Sequence, residues 1–517
     1  MAVPRPTQLR STPVRDLATL VGAVDGAPDT SSDVVVTGVT LDSRAVRPGD
    51  LYAALPGARA HGADFVDAVA RDGAVAVLTD AAGVQRVHDA GVALPVLVVE
   101  HPRSVLGAVA ARVFGTERLS LRLVGITGTN GKTTTAHLVH SALTAMGRST
   151  GLIGTVETRI GDERVGSVRT TPESPELHAL LAVMAERGLD TCVMEVSSHA
   201  LAQHRVDGVR YDVALFTNLS QDHLDFHADM DDYFAAKASL FTPERARQGL
   251  VCVDDPWGRR LVERAGIPVS TIGSTADADW RVTVDPDDPS AFRLGADGVD
   301  LKLRSSLPGG FNVTNTAMAA AALVLLGEDA GAVGDAVLTD PHVPGRMEAV
   351  AAPVGTSAPR AVVDYAHTPE AIRAALQALR PSTPGRLVCV TGAGGDRDRD
   401  KRHAMGAAAA QVADVVVVTD DNPRSEDPAT IRAAVLEGVE SVRAEGRPDV
   451  LVLVVGDRGR AIRAAVDAVW ADGPDATVAV VGKGHERGQD VGGVVHPFDD
   501  RAELVEALRL AAGVGPA

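Results

Sequence analysis

Aromatic residues are scarce in this chain of 517 residues, where Phe, Trp and Tyr together make up 3%. The hydrophobic cores must therefore be built mainly from Ala, Val and Leu. Cysteine is rare as well: Cys192, Cys252 and Cys389 each lie in an apolar, strand-like run. Since their spacing fits no zinc site, we expect buried free thiols in a reducing compartment.

Positively charged residues are fewer than negatively charged ones. Lys and Arg number 50 against 68 Asp and Glu, which gives a formal net charge of −18. This balance argues against nucleic-acid binding, which needs a basic face, and it requires a locally basic pocket for any anionic substrate. No run approaches the roughly 20 apolar residues of a membrane span, and residues 1–17 lack the apolar core of a signal peptide. We expect a cytoplasmic protein without membrane insertion.

A glycine-rich run, Gly125-Ile-Thr-Gly-Thr-Asn-Gly-Lys-Thr-Thr134, lies between a predicted strand at 121–125 and a predicted helix at 132–146. Loops in this position bind nucleotide phosphates through backbone N–H groups, with Lys132 beside the β- and γ-phosphates and the Thr133 hydroxyl on Mg²⁺. The first Gly of the common P-loop pattern would fall at Ile126, so a tight turn with a surface lysine is the alternative. The run predicts binding of ATP or GTP.

The order of elements predicts an α/β protein of three domains, because 517 residues exceed a single core. Residues 1–118 predict a smaller N-terminal α/β domain. Residues 119–345 predict a central parallel sheet of the P-loop ATPase type, with a β-hairpin excursion at 276–308. Residues 346–517 alternate strictly between short apolar strands and helices, which predicts a C-terminal, doubly wound, Rossmann-like sheet.

Four polar or Gly-rich motifs follow successive strands of the predicted C-terminal sheet. Ligands of such sheets bind at the carboxyl ends of the strands, so we expect the motifs to surround a ligand. They are Asp364-Tyr-Ala-His367, Gly392-Ala-Gly-Gly-Asp-Arg397, Asp421-Asn-Pro-Arg424 and Gly482-Lys-Gly-His-Glu486.

Three residues of the central segment suggest a metal site. Glu195 ends one apolar strand and His223 follows another, near the phosphate loop, which suggests Mg²⁺ ligation; the alternative for Glu195 is a carboxylate that caps the next loop. Lys237 lies in an otherwise apolar or small helical run, 233–241. It either reaches towards solvent or is a desolvated amine of lowered pKa that reacts with CO₂ to form a carbamate, and both readings stay open.

Over nearly its whole length the chain resembles the Mur ligase family, ATP-dependent amide ligases that extend the cell-wall peptide on UDP-N-acetylmuramic acid. The resemblance implies one Mg²⁺ held by Thr133 and Glu195, and a second held by His223, Glu195 and carbamylated Lys237. It implies Lys132, Glu195, His223 and Lys237 as the catalytic residues. The implied ATP site consists of Gly128, Thr129, Asn130, Gly131, Lys132, Thr133, Thr134, Asn315, Arg346 and Asp364.

The resemblance also implies a site for a UDP-muramyl dipeptide. Loops at 41–43 and 57–60 look like the family's uridine-binding loops, although the family has a more polar tripeptide at 58–60. An arginine fork matches the carboxylates of the glycan-linked peptide. The implied residues are Leu41, Ser43, Ala58, Arg59, Ala60, Thr170, Thr171, Ser197, Gln203 and Arg205.

Within the family the chain most resembles ligases that add meso-diaminopimelate to UDP-N-acetylmuramoyl-L-Ala-D-Glu. Diaminopimelate has one more carboxylate than lysine, and Arg424 can pair it; a site built to pair a charge rejects the analogue that lacks it. In isolation the run Asp421-Asn-Pro-Arg424 would also fit a proline turn. The implied residues are Arg397, Asp421, Asn422, Pro423, Arg424, Gly482 and Glu486.

We expect an acyl phosphate, formed from ATP and the D-Glu carboxylate, to be attacked by the amine of diaminopimelate. A lysine-adding ligase is opposed by Arg424, and a folylpolyglutamate synthetase by the additional first domain. A non-catalytic P-loop regulator that binds the precursor is opposed by the second metal site.

We expect a monomer that closes about a hinge near Pro341–Arg346.

Overall fold

The computed structural model describes residues 3–23, 33–57, 59–166, 169–339 and 341–514. Three sheets built around parallel strands follow one another along the chain, which confirms the predicted α/β architecture. Within the described ranges no helix is both long enough and apolar enough to span a bilayer.

The first sheet has four short parallel strands in the order β3-β4-β5-β6, with a separate antiparallel pair, β1 and β2. Leu106 and Val109 of α4 are buried against this sheet in one apolar cluster. Short 3₁₀ helices occupy Gly62–Phe65 and Thr116–Arg118. The elements are β1 Thr12–Pro13, α1 Val14–Val21, β2 Val35–Val36, β3 Gly38–Thr40, β4 Asp50–Ala53, α2 Val66–Arg71, β5 Ala76–Thr79, α3 Ala81–Asp89, β6 Val96–Val98 and α4 Pro102–Phe114.

The central sheet has eleven strands in the order β10-β9-β8-β11-β7-β12-β13-β14-β15-β16-β17. Its elements are β7 Arg122–Thr127, α5 Lys132–Ala145, β8 Thr150–Ile153, β9 Thr158–Ile160, β10 Glu163–Val165, α6 Ser174–Glu186, β11 Thr191–Glu195, α7 Ser198–Ala202, β12 Tyr211–Phe216, α8 Met230–Ala238, β13 Ala246–Cys252, α9 Pro256–Arg264, β14 Val269–Gly273, β15 Trp280–Val284, β16 Ala291–Ala296, β17 Val299–Arg304, α10 Gly310–Leu325 and α11 Ala330–Ala336. β7 pairs in parallel with β11 on one side and β12 on the other. The phosphate loop after β7 therefore lies beside the carboxyl ends of two neighbouring strands.

The segment 276–308 contains antiparallel hairpins, as predicted, but it is not an excursion from the sheet. β15 pairs in parallel with β14, and β16 and β17 continue the same sheet antiparallel. Trp280, Phe292 and Leu303 are buried in the same cluster as the alanines of α10. The segment is thus an extension of the central sheet, because its alternating apolar side chains face that core.

The C-terminal sheet has six strands in the order β18-β19-β23-β20-β21-β22, of which only the edge strand β18 is antiparallel. Separate apolar clusters cover its two faces, which confirms the doubly wound arrangement. 3₁₀ helices occupy Arg380–Ser382 and Trp470–Asp475. The elements are β18 Glu348–Val350, β19 Arg360–Asp364, α12 Pro369–Leu379, β20 Leu387–Thr391, α13 Lys401–Val412, β21 Val415–Val418, α14 Pro428–Glu445, β22 Leu451–Val454, α15 Arg458–Val469, β23 Thr477–Val481, β24 Gly488–Val491, β25 Val494–Pro497 and α16 Asp500–Ala511.

Candidate active site

A cavity of about 940 Å³ lies where the carboxyl edge of the central sheet faces that of the C-terminal sheet. Both sheets contribute their strand-end loops to its wall. The predicted site residues that line it are Thr129, Asn130, Gly131, Lys132, Thr133, Thr134, Thr170, Thr171, Glu195, Ser197, Arg205, His223, Lys237, Asn315, Arg346, Asp364, Arg397, Asp421, Asn422, Arg424, Gly482 and Glu486.

The predicted residues of the first sheet lie apart from this cavity. Leu41 lines a separate cleft of about 60 Å³, together with the first described residues of the chain. Ser43, Arg59 and Ala60 line neither space. Ala58 lies outside the described residues.

Three further predicted residues do not line the cavity. The Gly128 carbonyl accepts hydrogen bonds from two lysines, and Gln203 Oε1 accepts one of 2.6 Å from Arg205. The Pro423 carbonyl accepts one from the Glu426 amide.

The shape of the phosphate loop depends on two glycines in the left-handed region. Gly128 has a φ of +146° and Gly131 a φ of +88°. A Cβ on Gly128 would collide with the Thr217 hydroxyl, and one on Gly131 would lie 2.5 Å from Asn315 Oδ1. Only glycine fits both positions, because Thr217 and Asn315 occupy the space that a Cβ would need and because both φ values are positive.

Lys132 folds back over this loop. Its Nζ donates to the carbonyls of Gly128 and Thr129 at 2.8 and 2.9 Å. Burial lowers the pKa of Lys132, and the Glu195 carboxylate partly opposes that shift. These contacts hold the Lys132 Nζ against the backbone of the glycine-rich loop.

Glu195 is 1% exposed at the end of β11. It accepts hydrogen bonds from the Thr133 hydroxyl at 2.9 Å, from the Thr155 amide at 2.7 Å and from the Thr155 hydroxyl at 3.0 Å. These partners belong to α5 and to the loop after β8, so capping of the next loop does not explain this carboxylate. Sequence reasoning missed Thr155, which follows a strand end without any motif of its own.

Arg346 crosses from the linker before the C-terminal sheet to the phosphate loop. It donates to the Thr133 hydroxyl at 3.0 Å and lies over the Tyr365 ring at 4.5 Å. Its Nε is buried and has no hydrogen-bond partner among the described residues. Asp364 accepts from the Met347 amide at 2.7 Å, which fixes the same linker; burial raises the pKa of Asp364.

Lys237 is 1% exposed on α8, which rules out the alternative in which it reaches towards solvent. Its Nζ donates to the Gly128 carbonyl at 2.8 Å and lies 4.6 Å from the centre of the Tyr233 ring. Burial, with the Lys132 ammonium nearby, lowers the pKa of Lys237 well below its usual value. The side chain is a desolvated amine beside the phosphate loop.

His223 lies after β12 with a φ of +57°, 4.8 Å from the His199 ring. Burial lowers the pKa of His223 to about 3, so its imidazole is neutral at neutral pH. The preceding residue, Asp222, is buried and lies 3.3 Å from Lys401 Nζ and 3.7 Å from His367 Nε2. Sequence reasoning missed Asp222, although it stands beside the predicted histidine.

The Thr170–Thr171 loop and Arg205 meet next to Glu195. The Thr171 hydroxyl donates to the Glu195 carbonyl at 2.8 Å and accepts from the Ser197 amide at 3.1 Å. Arg205 forms an ion pair of 3.0 Å with Glu173, a buried carboxylate that also pairs with Arg103 of α4 at 2.9 Å. Glu173 was missed, although it follows the predicted Thr-Thr-Pro run directly.

On the opposite wall, Arg424 has a φ of +51° and donates through Nη1 to the Gly395 carbonyl at 2.5 Å. Asn422 Nδ2 donates to Glu486 Oε2 at 2.9 Å. Arg397 lies 3.5 Å from Asp225 of the central part of the chain. The four C-terminal motifs therefore meet at one edge, as parallel strands require.

Among the described residues, no three His, Cys, Asp or Glu side chains are grouped closely enough to hold a metal ion. The predicted set also includes a threonine and a lysine. The Thr133 hydroxyl and the Glu195 carboxylate nevertheless place two hard oxygen ligands 2.9 Å apart beside the phosphate loop, a combination that suits Mg²⁺.

Comparison with known proteins agrees with this arrangement. Three domain families match: "Mur ligase family, catalytic domain" over residues 35–114, "Mur ligase middle domain" over 126–323 and "Mur ligase, glutamate ligase domain" over 345–484. The chain is 53% identical to the UDP-N-acetylmuramoyl-L-alanyl-D-glutamate–2,6-diaminopimelate ligase of Streptomyces avermitilis, with 99% of each chain covered. It is 46% identical to the UDP-N-acetylmuramyl-tripeptide synthetase of Leifsonia xyli subsp. xyli, again with 99% of each covered. A solved structure of a UDP-N-acetylmuramoyl-L-alanyl-D-glutamate–2,6-diaminopimelate ligase superposes with a TM-score of 0.64 at 28% identity, covering 97% of this chain and 100% of that one. The chain belongs to the Mur ligase family.

Proposed function

We propose that this chain is an ATP-dependent amide ligase that joins meso-diaminopimelate to the D-Glu carboxylate of UDP-N-acetylmuramoyl-L-Ala-D-Glu, a step in peptidoglycan precursor synthesis. One observation carries the proposal: a single cavity has the phosphate loop on one wall and Arg424, Asn422 and Glu486 on the other. Full-length relatives named for this reaction support it.

ATP would bind with its phosphates in the loop 128–134. Asn315 and Asp364 would contact the nucleotide from the central and C-terminal parts. Lys132 and Arg346 supply two cations beside the phosphates, and the buried Nε of Arg346 needs a partner that a phosphate oxygen would provide. Positioning and neutralisation of charge are the main demands of phosphoryl transfer.

The residues present fit a divalent cation. Thr133 and Glu195 would hold one Mg²⁺, and His223, Glu195 and a carbamate on Lys237 would hold a second. Mg²⁺ would neutralise the charge of the phosphates and of the acceptor carboxylate. The neutral Nζ of Lys237 would attack CO₂, form a C–N bond and release one proton, which leaves an anionic carbamate.

In the first chemical step the D-Glu carboxylate attacks the γ-phosphorus of ATP, and the bond to the bridging oxygen of ADP breaks. In the second, a neutral amine of diaminopimelate attacks the acyl carbon, phosphate leaves and the amine loses a proton. Arg205, held by Glu173, would orient the peptide carboxylates. Arg424 would pair the distal carboxylate of diaminopimelate, and Glu486 its ammonium.

The three parts of the chain would divide these tasks. Residues 1–118 would bind the uridine end of the nucleotide through the loops at 41–43 and 57–60. Residues 119–345 would bind ATP, and residues 346–517 the amino acid. We place the reaction in the cytoplasm, where ATP is available, and expect a monomer to suffice because both walls of the cavity come from one chain.

The test is phosphate release from ATP in the presence of UDP-N-acetylmuramoyl-L-Ala-D-Glu, with meso-diaminopimelate or L-lysine as the second substrate. We expect release that requires the nucleotide peptide and diaminopimelate together. Equal release with lysine would overturn the proposed specificity, and no release with either amino acid would overturn the ligase proposal.

A further inference from the structure

Lys483 is a fully buried lysine in the loop after β23, at 0% exposure. It does not line the cavity, whereas its neighbours Gly482 and Glu486 do. Its Nζ lies 2.9 Å from Asn422 Oδ1, 3.0 Å from Glu486 Oε2 and 3.6 Å from Asp421 Oδ1. A desolvated ammonium is unfavourable unless it is paired and hydrogen-bonded, and here the three oxygens around it provide that compensation.

The position of Lys483 fixes the orientation of the Asn422 amide. An ammonium group only donates, so the oxygen of the amide must face it. The same Oδ1 also accepts from the Asp490 amide at 3.0 Å. The NH₂ group of Asn422 is thereby turned towards Glu486 Oε2, to which it donates at 2.9 Å.

The position of Lys483 also fixes the Glu486 carboxylate. Two donors, Lys483 Nζ and Asn422 Nδ2, converge on Oε2. Among the described residues no side chain or amide donates to Oε1, so this oxygen stays available to a ligand in the cavity that Glu486 lines. Asp421 and Glu486 place two carboxylates beside the one Lys483 ammonium, and the nearby Arg458 is paired with Asp500, so one negative charge is left over for an incoming ammonium.

We infer that Lys483 is the positioning residue of the amino-acid site: it orients Asn422 and Glu486 so that Glu486 Oε1 receives the distal ammonium of the amino-acid substrate. The inference rests on the proposed function, because it assumes that diaminopimelate enters this part of the cavity. Lys483 touches no substrate itself. Its effect should therefore appear in the KM for the amino acid and not in that for ATP or for the nucleotide peptide.

The test compares the wild-type chain with Lys483→Met, which removes the charge and all three donors, and Lys483→Gln, which keeps a neutral donor. Initial rates of phosphate release give KM separately for diaminopimelate, ATP and UDP-N-acetylmuramoyl-L-Ala-D-Glu. We expect Lys483→Met to raise the KM for diaminopimelate about tenfold or more and to change the other two KM values less than about twofold. Lys483→Gln should give an intermediate KM for diaminopimelate.

Arg380→Met is the matched control. Arg380 is a partly buried cation in the 3₁₀ helix Arg380–Ser382 that pairs with Asp414 at 2.6 Å at the amino edge of the C-terminal sheet, and it does not line the cavity. Its loss should lower the melting temperature without changing any KM. If Lys483→Met does not melt cooperatively, the KM values of Lys483→Gln are compared with those of the wild-type chain instead.

The outcomes separate the inference from the proposed function. A wild-type chain that releases no phosphate with diaminopimelate overturns both. An active wild-type chain with an unchanged KM for diaminopimelate in the Lys483 variants overturns only the positioning role. A parallel rise of all three KM values, as expected from a merely structural lysine, also overturns it.

Discussion

The Lys401 ammonium lies 3.3 Å from the Asp222 carboxylate, and this ion pair joins the C-terminal part of the chain to the loop that carries His223. His367 Nε2 approaches the same carboxylate at 3.7 Å, and Arg397 lies 3.5 Å from Asp225 in the same loop. Two acidic side chains of the central part are thus held by C-terminal cations. The contact closes one side of the cavity, so it couples the relative position of the two sheets to the geometry of the site.

Replacement of Asp222 by Asn should lower kcat/KM for ligation at least tenfold. Without the pair the two sheets are free to shift around the cavity, and a loss of about 1.4 kcal/mol of transition-state stabilisation corresponds to a tenfold change in rate. Initial rates of phosphate release measure the effect. Arg293→Gln, which breaks the exposed pair with Asp300 on the outer strands of the central sheet, should keep the wild-type rate. A wild-type rate in Asp222→Asn would show that the contact does not matter for turnover.

Replacement of Arg424 by Leu should reduce the preference for diaminopimelate over lysine by about 10–100-fold. The reason is that a hydrogen bond to a charged group contributes roughly 1.5–3 kcal/mol, and lysine never makes it. The measurement is the ratio of kcat/KM for the two amino acids. Arg399, an exposed arginine near the rim that pairs with Glu426 at 3.3 Å, provides the control Arg399→Gln, which should keep the wild-type ratio. An unchanged ratio in Arg424→Leu would assign specificity to another residue.

Carbamylation of Lys237 should be visible by ¹³C NMR after addition of ¹³C-bicarbonate. Burial, with the Lys132 ammonium nearby, lowers the pKa of Lys237 well below its usual value, which favours the neutral amine, and only the neutral amine reacts with CO₂. We expect a carbamate resonance in the wild-type chain that is missing in Lys237→Met and present in Lys302→Met, since Lys302 is an exposed lysine of β17. A resonance that survives in Lys237→Met would place the carbamate elsewhere.

His178 should make the fold less stable in acid. It is fully buried, lies 2.5 Å from the Thr116 hydroxyl through Nδ1 and 3.0 Å from the Asp207 carbonyl through Nε2. Burial lowers the pKa of His178 to about 4 from 6.5. Below pH 6.5 the unfolded chain therefore binds a proton that the folded chain does not, and stability falls as the pH falls towards 4, by about 3 kcal/mol in total for this residue.

Urea unfolding at pH 7 and at pH 4.5 measures this dependence. In His178→Gln the loss of unfolding free energy between the two pH values should be smaller than in the wild-type chain. The reason is that the histidine whose pKa is lowered by burial has been removed. His88→Gln, on the exposed side of α3, is the matched control and should lose as much as the wild type. An equal loss in His178→Gln would mean that other buried groups dominate the acid response.

The fold was largely predictable from the chain because each element is encoded locally. The strand Leu387–Thr391 is predicted by a short apolar run. The helix Pro102–Phe114 is predicted by the proline at its first position and the glycine directly after its last residue. The hairpins of the segment 276–308 were predicted correctly but their place outside the sheet was wrong, since an alternating pattern indicates strands but not which edge they join. That choice depends on burial against α10, which is distant in sequence.

The candidate site was predictable where a sequence motif indicates the kind of ligand that it binds, as in the phosphate loop and in Asp421-Asn-Pro-Arg424. Residues that act through others carry no such signal. Thr155 and Glu173 belong to no motif, and the motif that contains Lys483 does not indicate what the lysine does; only their contacts with Glu195, Arg205 and Asn422 give these residues a role.

The sequence by itself determined the α/β class, the positions of the glycines at 128 and 131 and the residue types available for phosphate and carboxylate binding. These depend on local backbone sterics and on side-chain chemistry. Only the tertiary structure decided that Lys237 is a desolvated amine and not a surface cation, and that the phosphate loop and the Arg424 loop share one cavity. Desolvation and electrostatic pairing are set by what surrounds a group in space, and those neighbours are distant in the chain.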